Sequence, residues 1–333
     1  MEYSLSKIAR ELGLSKTTVS FILSGKAKEK RISEEVEHKV KEFCESVNYV
    51  PNIHAQRINS KYIKSVGVLI DRKLNIDNEN PFSDPNISGI IGGIAMEAEN
   101  IGYRVQIQLY SSDMDENKVF DWLRNHEIDG LIYYGLNLSE GWRKTFADED
   151  RKVVGIGVTG GYDIPCVNIN NFEISKALGE YLIERGNKSF LYIRGMKDCY
   201  VAREREGGFF AALRKHGIDA AAVDGYFSEY SAYEKISSLN PDVDAVVCAN
   251  DNMAIGAVRA LNQLGKKVPE QISVAGGDNI SIGQYFSPGI TTFDNMPEDM
   301  GRNAFNMLYD MIRGGKAEDR IIKSKLIIRD SAK

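Results

Sequence analysis

The residues best equipped to hold a metal or attack a substrate are four histidines (His38, His54, His126, His216) and four cysteines (Cys44, Cys166, Cys199, Cys248). They are scattered along the chain, with no C-x-x-C pair, no metal-ligand spacing and no recognisable partnership with a serine nucleophile. The stretch GIGVTG at 155–160 has the G-x-G-x-x-G spacing of a dinucleotide loop. GYDIP follows it, which does not open a helix, so the strand–turn–helix context is missing. No G-x-x-x-x-G-K-[ST] motif occurs. No catalytic residue, metal ion or cofactor is therefore expected. The chemistry on offer near the N-terminus is recognition. Ser15, Lys16, Thr17, Thr18, Ser20 and Phe21 bring short hydroxyls, a cation and an aromatic ring together within seven residues, a set suited to phosphates and base edges.

Those residues need a rigid element to present them. Leu5, Ile8, Ala9 and Leu12 recur at the i, i+3, i+4, i+7 spacing of one helical face. Gly13 follows where a turn with positive φ is needed. Ser15 is placed to cap a second helix that buries Val19, Ile22 and Leu23 and turns the polar set outward. A third helix is predicted from about Ser33, with Val36, Val40, Phe43 and Val47 on one side. Three short helices, the first two joined by a tight turn, make a helix-turn-helix head. Residues 1–60 carry ten Lys/Arg against eight Asp/Glu, whereas the remainder carries 32 against 39. A mildly basic head on an acidic body agrees with nucleic-acid contact by the head alone.

The body reads differently. SVGVLI, YRVQIQLY, GLIYYG, KVVGIGV, SFLYIRG, AVVCAND and ISVAGG are short apolar runs separated by helical stretches. Alternating strand and helix over about 270 residues predicts doubly wound parallel sheets, and the length fits two of them. Ligands of such folds bind beyond the carboxyl ends of the strands, here between two lobes. The 333 residues suit two or three domains. The dispersed cysteines fit a reducing compartment, and no stretch approaches the ~20 apolar residues of a membrane span. The charged, amphipathic start MEYSLSKIARELG is unlike a secretion signal, so the expected location is the cytoplasm.

SLSKIARELGLSKTTVSFILSG followed by RISEEVEHKVKEFCESVNYVPNIHAQRI resembles the DNA-binding head of the lactose/galactose-repressor family. The body motifs IDGLIYYG, AREREGGFFAALRKHGI, CAND and GGDNI, with the tail KLIIRDS, extend the resemblance over almost the whole chain. It implies an all-α helix-turn-helix head (1–50), a hinge (51–62) and a periplasmic-binding-protein-like core (63–333). The core is expected to divide into an N-lobe of about 63–162 and 294–323 and a C-lobe of about 163–293 and 324–333. Crossings between lobes are expected near Asp163, Phe293 and Lys323.

By the same resemblance Lys16 and Thr17 would read bases, Thr18 and Ser20 would touch the backbone, and Ser15 would lie near a phosphate. Phe21 stands where the family usually has Arg. It cannot form a bidentate pair with guanine but can pack on a thymine methyl. In the hinge, Tyr49, Asn52, Ala55, Gln56 and Ile58 are implied DNA contacts. Ala55 would allow two hinge helices to approach, and Ile58 would wedge into a central minor-groove step.

For the effector, the resemblance points to Arg205, Asn250 in CAND, Asp278 in GGDNI and Phe227 in GYFSEYSAY, the aromatic position that can cover a sugar's apolar face. An arginine, an amide, a carboxylate and a ring form a polyol-binding set. Asp278 capping the next helix and Phe227 lying in the core are the competing structural readings. The loop DRKLNIDNENPFSDPNIS is about ten residues longer than the family's. Asp71 begins it, and either Asn80-Pro81-Phe82 or Asp84-Pro85-Asn86 is the counterpart of the family's polar corner, making Phe82 and Asn86 alternative contacts. Cys199 and Val201 replace groups that a purine-binding member would use, and Gly157 replaces an Asp common among sugar-binding members. The expected protein is a dimeric, effector-switched transcription repressor that binds pseudo-palindromic DNA and is released from it by a carbohydrate. A ligand-binding protein without a regulatory role and a regulator with a non-sugar co-repressor are the alternatives. An enzyme lacks any paired acid–base motif in this sequence.

Overall fold

The computed structural model describes residues 3–49, 62–74, 80–111, 121–135, 152–158 and 164–333. The chain divides into two compact units, Met1–Ile63 and Lys64–Lys333. The hinge candidates Asn52, Ala55, Gln56 and Ile58 lie outside the described residues.

In the first unit, α1 (Leu5–Glu11), α2 (Lys16–Leu23) and α3 (Glu34–Ser46) each begin at a serine cap. Ser4, Ser15 and Ser33 accept hydrogen bonds from the amides of Lys7, Thr18 and Val36, satisfying donors that a helix start leaves orphaned. Gly13 turns the chain between α1 and α2 at φ +67°, a conformation that a side chain would strain. Ile8, Ala9, Val19, Ile22, Ala27, Val40 and Cys44 form the core, with Leu5, Leu12, Leu23, Val36 and Phe43 packed around it. Helices this short are marginal alone; this shared apolar centre holds them.

The second unit contains two parallel sheets. The first has the order β11-β5-β4-β3-β1-β2, built from β1 (Ser65–Asp71), β2 (Arg104–Tyr110), β3 (Gly130–Tyr134), β4 (Val153–Ile156), β5 (Cys166–Ile169) and β11 (Arg320–Ile322). The second has the order β7-β6-β8-β9, from β6 (Phe190–Arg194), β7 (Ala220–Asp224), β8 (Ala245–Cys248) and β9 (Ser273–Ala275). All ladders within both are parallel. β1, β4, β5, β8 and β9 are buried along their whole length, as strands covered on both faces must be, which is why they read as unbroken apolar runs. Helices α4 (Pro85–Asn100) and α10 (Pro297–Ile312) pack on the first lobe, and α5 (Asn171–Glu184), α6 (Tyr200–Lys215), α7 (Glu229–Leu239), α8 (Asp251–Gln263) and α9 (Ser281–Tyr285) belong to the second. α4 and α10 meet at glycines: a Cβ on Gly93 would lie 2.1 Å from the Glu298 carbonyl oxygen, and one on Gly301 would lie 2.1 Å from that of Ile90.

The first crossing between lobes differs from expectation. It falls at Asn170, after β5, and not near Asp163. β5 still pairs with β4 through Gly155↔Cys166 and with β11 through Arg320↔Val167, so the residues up to Ile169 belong to the N-lobe sheet. The other crossings run through β10 (Thr292–Phe293) and β12 (Leu326–Ile327), which form an antiparallel pair. All three crossing strands are tied together. The Ser324 amide donates to Asn170 Oδ1 at 2.7 Å, and the Ser324 hydroxyl donates to the Asp294 carbonyl at 2.5 Å.

Candidate functional site

In the first unit, α2 presents the polar set. Ser15 is committed to capping, with its hydroxyl 2.8 Å from that of Thr18. Lys16 and Thr17 are exposed, and Thr18 and Ser20 are half-buried. Phe21 is half-buried on the same helix, with Lys30 Nζ 5.4 Å from its ring centroid, a cation–π seat. Lys26, Lys28 and Lys30, all exposed, follow α2 in the loop to α3. Sequence reasoning passed over them, although the run KAKEKR was the signal. Tyr49 packs partly against the head core instead of standing free in solvent.

In the second unit a cleft with an empty volume of about 660 Å³ lies between the lobes. Its centre is Arg205 on α6, which is 2% exposed. Nε donates to Asn171 Oδ1 (3.0 Å), Nη1 to the Ala249 carbonyl (2.7 Å) and Nη2 to Asn295 Oδ1 (3.1 Å). Nη2 also pairs with Asp278 Oδ1 at 2.8 Å. The guanidinium lies over Phe293, 4.9 Å from its centroid. Four partners take up the donors of the arginine fork.

Asp278 does not cap the next helix. α9 starts after Ile280, whose position carries no side-chain cap, and the carboxylate turns to Arg205 and to Asn86, whose Nδ2 donates to Asp278 Oδ2 at 2.9 Å. Its backbone sits at φ 112°, a costly conformation for a residue with a Cβ. Burial pushes the Asp278 carboxyl up to about 6, against the pull of Arg205. Beneath it, burial and the neighbouring Asp278 push Asp251 up to about 8, while its Oδ2 accepts from the Ile280 amide at 3.0 Å.

Of the two alternative corners, the structure places Asp84-Pro85-Asn86 at the cleft. Asp84 caps α4 by accepting from the amides of Asn86 (2.7 Å) and Ile87 (3.4 Å). Asn86 Oδ1 accepts from Asn295 Nδ2 at 2.8 Å. Phe82, 37% exposed, is not among the lining residues. Asp71 is buried at the end of β1 and accepts from the Lys73 amide at 2.9 Å; it does not line the cleft either. Both were expected contacts.

Asn250 lines the cleft but spends its Oδ1 capping α8 through the Met253 amide (3.0 Å), and its Nδ2 donates to the Phe227 carbonyl at 3.3 Å. Phe227 also lines the cleft, half-buried and packed against the core, at φ 62°. Its ring lies so close over Gly195 that a Cβ there would be 2.3 Å away. Tyr134, Asn168, Asn171 and Asn295 were not anticipated as lining residues, nor was Asp84 singled out from its motif. Burial pushes the Tyr134 phenol well above its ordinary range and raises the Asp84 carboxyl. Gly157 leaves space that the Tyr134 ring occupies: a Cβ there would lie 3.2 Å from that ring. Cys199 and Val201 line the wall nearby, and burial raises the Cys199 thiol. Among the described residues no helix is long and apolar enough to cross a membrane.

A family profile described as bacterial regulatory proteins, lacI family, matches residues 4–52, and one described as a periplasmic binding protein-like domain matches residues 180–332. The HTH-type transcriptional repressor PurR of Vibrio vulnificus is 27% identical over 99% of this chain and 98% of its own length. The HTH-type transcriptional regulator CelR of Thermobifida fusca is 25% identical over 98% of each. The structure of the lac repressor dimer bound to operator and an anti-inducer superposes with a TM-score of 0.88 at 21% identity, covering 99% of both chains. A helix-turn-helix head followed by a two-lobed core with a polar cleft defines a ligand-responsive DNA-binding regulator rather than an enzyme. The chain carries a helix-turn-helix domain of the lacI family of bacterial regulatory proteins, followed by a periplasmic binding protein-like domain.

Proposed function

We propose that the protein is a cytoplasmic, homodimeric repressor of a carbohydrate-utilisation operon, released from its operator when a sugar or sugar derivative enters the cleft. The observation that carries this reading is the network of Arg205, Asp278, Asn86 and Asn295. It converges a guanidinium, a carboxylate and amides on one space beside the Phe227 ring, and such groups match hydroxyls along one edge of a sugar and C–H bonds along its face. Asn250 completes the polar wall.

In this reading 1–50 is the DNA-binding head, 51–62 the hinge and the remainder the effector core. Two heads bind the half-sites of a pseudo-palindromic operator. Lys16 and Thr17 face bases, Ser15, Thr18 and Ser20 face the backbone, and Phe21 contacts a thymine methyl. In the hinge, Asn52 and Gln56 contact the DNA, Ala55 lets the two hinge helices approach, and Ile58 wedges into the minor groove at the centre. Sugar binding changes the lobe angle and thereby the hinge spacing, so effector and DNA affinities are linked reciprocally.

The test uses the full chain on an operator recovered from randomised DNA, with anisotropy measured across a panel of sugars. The expected result is at least tenfold weaker operator binding with one sugar class, together with a sedimentation mass of two chains. Tighter DNA binding in the presence of a non-sugar metabolite, with no response to any sugar, would replace induction by co-repression.

A further inference from the structure

We infer that the ligand of this cleft is an uncharged oligosaccharide of at least two units. The inner unit sits at Arg205 and Asp278, and the outer unit lies in a second hollow beyond Asn168. This rests on the carbohydrate reading proposed above. The hollow, with an empty volume of about 580 Å³, adjoins the cleft, and Asn168 and Asn171 line both. Its far wall includes Glu173, Tyr200, Glu204, Asp319 and Arg320.

Asn168 marks the passage between the two. It is 9% exposed, on β5, and its Nδ2 donates to the Val158 carbonyl at 2.9 Å. That contact fixes the amide orientation, because the flipped amide would set two acceptors against each other. Asn168 Oδ1 is then left buried with no hydrogen-bond partner among the described residues. Buried polar atoms almost always have a partner. Oδ1 is closed off in this arrangement of the lobes, and a ligand that holds the lobes apart while spanning both cavities would open it to a hydroxyl donor.

Charge sets the ligand's class. Among the described lining residues the cleft holds Asp84 and Asp278 against Arg205, and the hollow holds Glu173, Glu204 and Asp319 against Arg320. Arg205 already donates to three acceptors and pairs with Asp278, and Arg320 donates to Asn303 at 2.7 Å. An anionic ligand would therefore face an excess of carboxylates and cations already engaged. Ionised carboxylates accept hydroxyl protons from a neutral glycan instead, and the half-buried Tyr200 adds a ring and a phenol to the outer wall.

The experiment is calorimetric titration of the full chain with glucose, galactose and xylose, their 1,4-linked disaccharides, and glucose 6-phosphate. One neutral disaccharide is expected to bind at least tenfold tighter than its own monosaccharide and than the phosphate. Asn168→Leu and Glu204→Gln, each checked for an unchanged melting temperature, should each weaken that disaccharide by about tenfold, the scale of one lost hydrogen bond. A monosaccharide or phosphate binding as tightly as any disaccharide overturns the inference. So does parental disaccharide affinity in both variants. If no sugar binds at all, the carbohydrate reading fails first and takes this one with it.

Discussion

The side-chain amide of Asn86 donates to Asp278 across the cleft at 2.9 Å, joining residues 192 positions apart. The same asparagine accepts from Asn295 at 2.8 Å, and the same carboxylate pairs with Arg205 at 2.8 Å. One short side chain on α4 thus holds an acceptor of the C-lobe and a donor two residues past the crossing strand β10. A ligand entering between the lobes competes for these hydrogen bonds, so the lobe angle and ligand occupancy share one set of atoms. The crossing segments are themselves tied together, since Ser324 donates to both Asn170 and Asp294.

Arg205→Ala should be severely destabilising. It leaves Asp278 buried without its counter-charge and removes the donor serving Asn171, Asn295 and the Ala249 carbonyl. Breaking one side of a buried ion pair costs about 3–5 kcal/mol, to be read from urea unfolding at pH 7.5. At pH 5 the loss should shrink, because Asp278 in the variant takes up a proton. Arg205→Lys keeps the charge but not the fork, and should fall between.

The core should lose stability as pH rises from about 4 to 8. Asp278 is raised to about 6 and Asp251 to about 8, both above the ~3.9 of an unfolded aspartate. Between those limits the folded state binds more protons than the unfolded one, so unfolding free energy falls with pH. The contribution is complete below pH ~4 and is lost as pH passes about 6 for Asp278 and about 8 for Asp251. Glu29, Glu180 and Asp244 are lowered by their hydrogen-bond partners and contribute a slope of the opposite sign at the acid end. Melting temperatures between pH 4.5 and 8.5 measure the slope. Asp251→Asn should flatten its upper part, and a slope unchanged by that substitution would contradict the assignment.

Gly301→Ala should destabilise the N-lobe by about 1–3 kcal/mol, the range for overpacking. The added methyl would meet the Ile90 carbonyl, 2.1 Å away on α4, and neither backbone can step aside alone. Gly92→Ala, on the same α4 but with nothing within 4 Å of its Cβ, should be stabilising by about 0.5–1 kcal/mol through helix propensity. Denaturant unfolding of the two variants separates crowding from propensity.

These relationships were unequally visible in the sequence. The head was legible because serine caps and 3.6-residue periodicity both mark its helices. Arg205, Asp278 and Asn250 were legible through motifs shared with the resembled family, Asp278 and Asn250 at strand ends and Arg205 in the second turn of α6. β5 was not: CVNI is four residues long and follows a proline, so nothing local distinguishes it from a loop, and its place is set by pairing with β4 and β11. Tyr134 and Asn168 were hidden inside strands, where a polar group's role depends on the face it takes. The long loop offered Phe82 and Asn86 at equivalent spacing. Only the direction in which α4 leaves Asp84 puts Asn86 inward and Phe82 out.

The face of α2 gives a prediction about DNA. Lys16 is exposed on it, and Lys30 is seated over the Phe21 ring. Each lysine that neutralises a phosphate contributes about 0.9 to the slope of log affinity against log salt. Lys30→Ala should lower that slope by about this amount, measured by anisotropy on the selected operator, whereas Lys16→Ala should relax base preference at one half-site position. Phe21→Ala should weaken binding through Lys30, because the cation loses its seat. Phe21→Arg exchanges an apolar surface for a bidentate donor, so selection from a randomised operator library should shift one half-site position from thymine towards guanine. Unchanged base preference would mean that Phe21 serves to hold Lys30 and reads no base.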